Sequence, residues 1–331
     1  MAADAQADLA SVAAFQGLDA GQLASLRASL EPFQAEPGDV LFRQNDAAEG
    51  MHVITRGKVR IQGRTLADGL THLADIGPGE VVGEFGLVDQ GRRSATAEVL
   101  EPTGGFFMPR EQFERLLFIG DRAAFLLSRE LRRLACSRTR WTVEAMGRDE
   151  AGERRARRPD ERRQIRPRAA DGTADMLAAL HQFRGFKRTE AERLVAAGRV
   201  LDARRGAVLA ETGAAADGIW IVLRGAVRTG LDRADGIEQL LIHGPGKIVG
   251  GVAAMDGLAQ PARLDAREEA ILLHIGQPRV EAWKAELEPA AARLAELISK
   301  QLVADLRALS RRQGRIRSMA VLNAAEGAAD V

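Results

Sequence analysis

The sequence predicts a mainly β protein with flanking helices, built from two tandem jelly-roll barrels that are each followed by a long helix. Three observations predict this fold. Short apolar segments alternate with glycine-containing turns, a set of motifs recurs at a fixed distance along the chain, and each recurring block ends in an apolar stripe at helical spacing. With 331 residues, 46% of them hydrophobic, the chain is long enough for two such domains and has an ordinary globular composition.

The predicted strands are short and closely spaced. They are 40–42, 51–55, 58–62, 70–76 and 95–99 in the first half, and 219–223, 226–229, 238–243 and 270–275 in the second half. Strands at this density are typical of an antiparallel barrel or jelly roll. The 34 glycines, about 10% of the chain against a usual ~7%, fit the many tight turns that such a fold needs.

Each block then continues into a predicted helix. Residues 109–140 carry apolar side chains at broadly helical spacing, and residues 289–312 carry a second stripe formed by Leu294, Ile298, Leu302, Leu306 and Leu309. Packing of each helix on its own barrel explains both stripes. A seam where the helices of two chains pair also explains the C-terminal stripe, which runs for more than four turns, so both interpretations stay open.

The two halves repeat each other. Residues 15–17 recur as 183–185 and residues 50–57 as 218–225, in both cases 168 positions later, and further glycine motifs follow in the same order. Collinear repeats of this kind predict a tandem of one domain type. We expect a first domain at 1–146, an arginine-rich linker at 147–172 and a second domain at 173–331.

The formal net charge of +1 is an average over unlike parts. Residues 1–110 hold nine basic and fifteen acidic side chains, whereas residues 148–168 hold nine arginines and five acids. The basic stretch is typical of a solvated linker, and an arm for an anionic partner is the alternative. A near-zero net charge and only 4% aromatic residues disfavour DNA binding and single-strand nucleic-acid binding.

Several classes of protein are excluded. The single cysteine, Cys136, forms no internal disulfide and excludes a zinc site built on several cysteines. The five histidines are scattered without ligand spacing, so no metal site, no cofactor and no catalytic constellation is expected. The N-terminal residues lack the basic start of a secretory signal, and no apolar run is long enough to span a membrane. We therefore expect a non-enzymatic cytoplasmic protein.

The segment that begins at Pro78 contains the residues that predict a binding site. Gly83 allows the backbone to approach a ligand closely, and residues 84–88 can form a helical turn whose N–H groups face an anion. Arg93 offers a planar fork for two phosphate oxygens, and Glu84 can accept hydrogen bonds from a sugar hydroxyl. This pattern indicates a site for a ribose phosphate, with a structural ion pair between Glu84 and Arg93 as the alternative.

This passage resembles the phosphate-binding cassette of the cyclic nucleotide-binding domain family. That family includes the bacterial catabolite activator proteins and the regulatory subunits of cyclic-AMP-dependent kinases. The resemblance covers residues 12–140 strongly and 180–312 more loosely, and no helix-turn-helix is recognisable after either copy. It rests on Gly83-Glu84, on Arg92-Arg93-Ser94-Ala95 and on the framing glycines.

The resemblance implies a role for each matching residue. Glu84 would hold the ribose 2′-hydroxyl, and Arg93 and Ser94 the cyclic phosphate. The remaining contacts would come from backbone amides between Gly83 and Phe85, from Leu73 and Ile76 in the purine cavity, and from Ser137 in the following helix. Cyclic AMP is favoured over cyclic GMP, although a serine at position 94 is compatible with either purine.

The second copy departs from the pattern at its polar anchors. Gly251 stands where the first copy has Glu84, and Gln260 or Pro261 stands where it has Arg93. Losing two charge-assisted contacts at about 2–3 kcal/mol each weakens binding by about a thousandfold or more. We therefore expect one nucleotide site per chain and a structural, dimerising or partner-binding second domain. A different ligand held by Arg263 stays open.

These observations predict a cyclic-nucleotide sensor. The first domain would bind the ligand, and the helix at 113–140 would signal to the second domain or to an unidentified protein partner. A homodimer through the long helices is a further expectation. Two alternatives remain: a ligand-independent interaction or scaffold protein with relic barrels, and a transcription regulator that binds DNA through the linker and residues 311–317.

Overall fold

The computed structural model describes residues 9–64, 70–89, 91–148, 164–234, 236–285 and 289–329. It divides into two compact units. Residues up to Leu134 and from Ser310 onward form the first unit, and Ala135–Leu309 form the second. The arginine-dense part of the predicted linker, 149–163, lies outside the described residues.

The first unit is built on a six-stranded antiparallel sheet. Two long strands, β3 (Gly50–Arg64) and β6 (Thr96–Pro109), pair along most of their length, and the shorter strands pair with one or the other. The strands are β1 (Glu31–Ala35), β2 (Val40–Phe42), β3 (Gly50–Arg64), β4 (Leu70–Ile76), β5 (Glu80–Val82) and β6 (Thr96–Pro109). A short helix α1 (Ala20–Arg27) precedes them, and a capping box on Asp19 starts it.

The prediction of separate strands at 51–55 and 58–62 was wrong. The chain continues as one strand through Gly57, which has a φ of +83°, and the register with β6 shifts on both sides of it. A Cβ at this glycine would lie 2.6 Å from the Cα of Thr103. A glycine bulge therefore bends the strand where the sequence suggested a turn.

The two faces of β3 belong to different apolar clusters. Met51 and Val53 are fully buried against the helices of the first unit. Ile54 and Val59 instead pack with the residues of a second cluster, among them Ile76 of β4. Alternation along the strand thus places His52 on the same face as Ile54, away from the helices.

The predicted helix at 113–140 is two helices, so this prediction was wrong. Helix α2 (Arg110–Phe118) ends before Gly120, whose φ is +76°, and helix α3 (Arg122–Arg148) follows. The carboxylate of Asp121 accepts a hydrogen bond from the backbone N–H of Ala124 at 2.9 Å. A left-handed glycine and an aspartate cap end one helix and begin the next.

The second unit repeats the plan with two antiparallel sheets. The strands are β7 (Ile165–Pro167), β8 (Arg199–Ala203), β9 (Val208–Ala210), β10 (Gly218–Arg224), β11 (Val227–Arg233), β12 (Gly236–His243), β13 (Ile248–Val249), β14 (Arg263–Ala266) and β15 (Ala270–Gly276). One sheet has the order β13-β10-β15-β8-β7 and the other β12-β11-β14-β9. The helices are α4 (Thr173–Ala179), α5 (Arg188–Ala196), α6 (Gly251–Asp256), α7 (Gln277–Ala285) and α8 (Pro289–Ala329), of which the residues up to Leu309 belong to this unit.

The apolar stripe of α8 is buried inside the chain. All five of its residues, Leu294, Ile298, Leu302, Leu306 and Leu309, are at most 6% exposed. Packing within the protein therefore accounts for the stripe. Among the described residues, no helix combines the length and apolar character needed to cross a membrane.

Candidate functional site

The first cassette is a tight turn between β5 and β6. Gly83 follows β5 with a φ of +75°, and a 3₁₀ turn covers Glu84–Leu87. A Cβ added to Gly83 would collide with Nη1 of Arg93. Only glycine satisfies both the left-handed backbone and the close approach of the guanidinium.

Arg93 is held from several directions. Its side chain is buried, its Nη1 donates to the carbonyl oxygen of Gly83 at 2.9 Å, and its guanidinium carbon lies 4.1 Å from the centre of the Phe42 ring. Its backbone N–H donates to Asp46, and its carbonyl accepts from Asn45. The guanidinium is thus fixed next to the turn before any ligand contact is considered.

The other polar residues of the cassette differ in exposure. Glu84 is buried at 2% exposure, on the 3₁₀ turn that Gly83 begins. Arg92 and Ser94 are exposed, and Nη1 of Arg92 donates to the carbonyl oxygen of Asn45 at 2.8 Å. The cassette therefore combines one buried carboxylate and one buried guanidinium, the pair expected for a hydroxylated anion.

A cavity of about 690 Å³ lies beside Arg93. Its apolar wall includes Phe33, Phe42 and Phe107, and the imidazole of His52 sits among them, 5.1 Å from the ring centre of Phe33 and 4.7 Å from that of Phe107. This volume is within the range of small-molecule sites, about 300–1,000 Å³.

The chemistry of His52 fits this apolar setting. Burial, and to a smaller extent the positive charge of Arg93, lower the pKa of His52 to about 4. The imidazole is therefore neutral at physiological pH, and the cationic side chains among the residues that line the cavity are Arg92 and Arg93.

The second cassette has the same backbone conformation at its glycine as the first, but the cavity at this turn is too small for a ligand of nucleotide size. Gly250 has a φ of +80° and precedes α6, as Gly83 precedes its turn. A Cβ at Gly251 would lie 3.4 Å from Ile298 and 3.8 Å from Leu302, both on α8. A cavity of about 40 Å³ remains there, far below the ~300 Å³ at the lower end of small-molecule sites.

Two titratable groups line this small cavity, the buried His243 and the partly buried Asp305. Burial lowers the pKa of His243 to about 4 and raises the pKa of Asp305 to about 7. Thr229 Oγ1 lies 3.0 Å from His243 Nε2, and Gln301 donates to Asp305 at 2.6 Å. Burial favours the neutral form of each group.

Arg263 lies away from this cavity. Its guanidinium is 3.6 Å from Asp232 and 4.0 Å from Asp265, the latter also held by Arg228 in a bidentate pair. It is absent from the lining of the small cavity. Arg263 thus belongs to an ion-pair network on the sheet.

Comparison with protein families identifies the fold. Residues 32–119 and 200–285 match the family model described as "Cyclic nucleotide-binding domain", and together they make up more than half of the chain. The chain belongs to the cyclic nucleotide-binding domain family. This confirms the resemblance and the tandem of two domains that the repeat predicted.

Several known proteins are similar to parts of this cyclic nucleotide-binding chain. Acetyltransferase Pat of Mycolicibacterium smegmatis is 37% identical over 113 residues, which are 34% of this chain and 34% of that protein. The CRP-like cAMP-activated global transcriptional regulator of Mycobacterium tuberculosis is 30% identical over 135 residues, 40% of this chain and 58% of the regulator. The chain thus spans a third to somewhat over half of the length of these curated relatives.

A solved structure covers more of the chain at lower identity. The regulatory domain of Toxoplasma gondii PKA in complex with cAMP covers 88% of this chain and 94% of its own, with 15% identity and a TM-score of 0.33.

The cyclic nucleotide-binding fold brings part of the predicted ligand set together. Gly83, Glu84, Phe85 and Arg93 meet in the first cassette, with the exposed Ser94 beside them. Ile76 is buried in the cluster that includes Val82 of β5. The ligand contacts of all these residues stay predictions.

Leu73 and Ser137 differ from the buried members of this group in their exposure. Leu73 is 53% exposed, because the register between β3 and β4 shifts after Ile61 and leaves Leu73 without a paired residue. Ser137 is exposed on the part of α3 that belongs to the second unit. Their predicted contacts with the purine are likewise untested.

The aromatic wall and His52 are not predicted from the sequence. His52 is one of five scattered histidines, and Phe33 falls outside every predicted strand. The alternation of His52 with the apolar residues Met51 and Val53 indicates an opposite face of the strand, and could have directed attention to it.

Proposed function

We propose that the protein is a non-enzymatic sensor that binds cyclic AMP in its first domain. One observation carries this proposal: buried Arg93 lines a cavity of about 690 Å³ and lies against a turn that begins at a left-handed glycine and carries the buried Glu84. Glu84 would accept from the ribose 2′-hydroxyl, and Arg93 and Ser94 would hold the cyclic phosphate. The family provides the ligand class, and the similar regulator from Mycobacterium tuberculosis is cAMP-activated by its printed name.

The second domain would not take part in nucleotide binding. Its cassette lacks both polar anchors, and the space beside it is reduced to about 40 Å³. We therefore propose one nucleotide site per chain, with cyclic AMP favoured over cyclic GMP.

We propose that α3 transmits the signal of ligand binding. Ala123, Leu127 and Leu131 of this helix are buried in the core of the first unit, whereas Val143 and Met146 are buried in the second. A helix that contributes to both cores would report ligand occupancy to the second domain or to a protein partner. The cytoplasmic location, the partner and a homodimer belong to this proposal.

Calorimetry with cyclic AMP and cyclic GMP tests the function. Wild type should bind one molecule of cyclic AMP per chain, and Arg93→Ala should weaken binding by about 30-fold or more, because a charge-assisted bidentate contact is lost. Arg115→Ala is the matched control, since Arg115 is exposed on α2 and does not line the cavity, and it should change the affinity less than threefold.

Two outcomes would count against the sensor. Equal binding by wild type and Arg93→Ala would contradict the proposed site, and binding by neither would favour the scaffold alternative. Two molecules per chain would instead contradict the proposed role of the second domain.

A further inference from the structure

Hydrogen bonds from one arginine connect the last turns of α3 to the second cassette. Arg140 donates from Nε and Nη2 to the two carboxylate oxygens of Asp256 at 2.9 and 3.0 Å, and from Nη1 to the carbonyl oxygen of Ala259 at 2.6 Å. The ion pair is largely buried, with 14% and 12% of the two side chains exposed. This bidentate geometry is that of a specific guanidinium site.

The groups that face this guanidinium are a carboxylate and a carbonyl oxygen, without a buried arginine of the cassette itself such as Arg93 in the first. Asp256 is the last residue of α6, where carbonyl oxygens carry partial negative charge, and Lys284 Nζ donates to the neighbouring carbonyl of Met255 at 3.0 Å. The first cassette keeps a buried arginine next to a turn, which suits an anion. The second presents a carboxylate and carbonyl oxygens, which suit a cation.

The space beside the second cassette is filled by the protein itself. Thr139 and Val143 of α3 line the residual cavity together with Ile298 and Leu302 of α8. All four side chains are at most 4% exposed. The loss of the glutamate at Gly251 fits this packing, since a longer side chain there would meet α8.

The end of α3 is also part of an apolar core. Val143 and Met146 are buried with Leu231, Leu240 and Leu309 in one cluster of the second unit. Arg140 therefore adds polar contacts to a segment of α3 that is already packed in the apolar core of the second unit.

We propose that the second cassette is a guanidinium socket whose ligand is Arg140 of the same chain, so that the end of α3 occupies this domain in place of a nucleotide. The socket is formed by the carboxylate of Asp256 and the carbonyl oxygen of Ala259. Whether the socket is occupied depends on the position of α3 and not on cyclic nucleotide. This inference does not depend on nucleotide binding by the first domain.

Hydrogen exchange of the full-length protein without nucleotide tests the socket. Arg140→Ala should raise the exchange rates of backbone amides 139–147 by about tenfold or more, because a buried charge-assisted pair is removed. Arg129→Ala is the matched control on the same helix, since Arg129 is exposed, and it should leave these rates within twofold of wild type.

A double substitution shows whether the two residues act together. Asp256→Ala should give a similar increase, and the double variant should exchange no faster than the faster single variant. Arg140→Lys, which retains the charge and loses the fork, should be intermediate and is the milder variant if Arg140→Ala folds poorly. Rates for Arg140→Ala equal to those of Arg129→Ala, or independent effects that multiply in the double variant, would overturn the socket.

Discussion

Arg93 carries its charge at a position that is 5% exposed, and its neighbours offset the cost of burying it. The carbonyl of Gly83 accepts from the guanidinium, and the face of Phe42 lies 4.1 Å below it. Such contacts are worth about 0.5–2 kcal/mol each. They hold the guanidinium in one position, so its side chain loses less conformational entropy when a phosphate binds.

His52 makes the first domain sensitive to acid. Its pKa of about 4 lies below the value of 6.5 for an ordinary histidine, because of burial and then the charge of Arg93. The stability that follows from this shift is present above pH 6.5 and is lost as the pH falls towards 4, because the unfolded chain takes up the proton first.

Replacing His52 with phenylalanine should reduce this sensitivity. The ring fits among Phe33 and Phe107, so the fold should be retained. We expect the thermal midpoint of wild type to fall more between pH 7 and pH 5 than that of His52→Phe, as followed by circular dichroism. Identical pH dependence in the two proteins would show that His52 is not the responsible group.

At the scale of elements, α8 and the second cassette constrain each other. The packing distance between Gly251 and Ile298 allows a methyl group and nothing much larger. The position of α8 therefore explains why a glycine stands at 251. The same glycine also removes the glutamate that would anchor a nucleotide.

Two substitutions at Gly251 should separate these effects. Gly251→Ala should leave the free energy of unfolding within about 1 kcal/mol of wild type, since its Cβ makes an ordinary contact. Gly251→Glu should lower it by about 2 kcal/mol or more, because a carboxylate would be buried against Ile298 and Leu302. Urea unfolding followed by tryptophan fluorescence, to which the buried Trp220 contributes, measures both. A glutamate variant as stable as the alanine variant would mean that α8 does not pack here.

At the scale of the whole molecule, charge argues against a nucleic-acid partner. The chain has a net charge of +1, and the first 110 residues are acidic. Non-specific DNA binding needs several cationic contacts that release counterions.

We therefore expect no binding of duplex DNA by the full-length protein at about 50 mM salt in a gel-shift assay. The control is the same assay on a variant in which Arg311 and Arg312 are replaced by alanine, which should look the same as wild type. A shift that weakens steeply with added salt, and that these alanines reduce, would instead support the DNA-binding alternative.

Much of the fold and the first cassette could be predicted because the information is local. The strand turns require glycine, the repeat is visible at a constant offset, and Gly83, Glu84 and Arg93 lie within eleven consecutive positions. The break at Gly120 and the single bent strand through Gly57 were missed, since a glycine is compatible with a turn, a bulge or a helix end until its φ is known.

The sequence by itself determined the family, the tandem of two domains and the loss of polar anchors in the second copy. Tertiary structure decided what replaces the nucleotide there and which residues surround Arg93. Arg140 and Asp256 are 116 positions apart, and Gly251 meets a helix that begins at Pro289. No local pattern encodes such pairings, because they depend on how separate elements pack around one core.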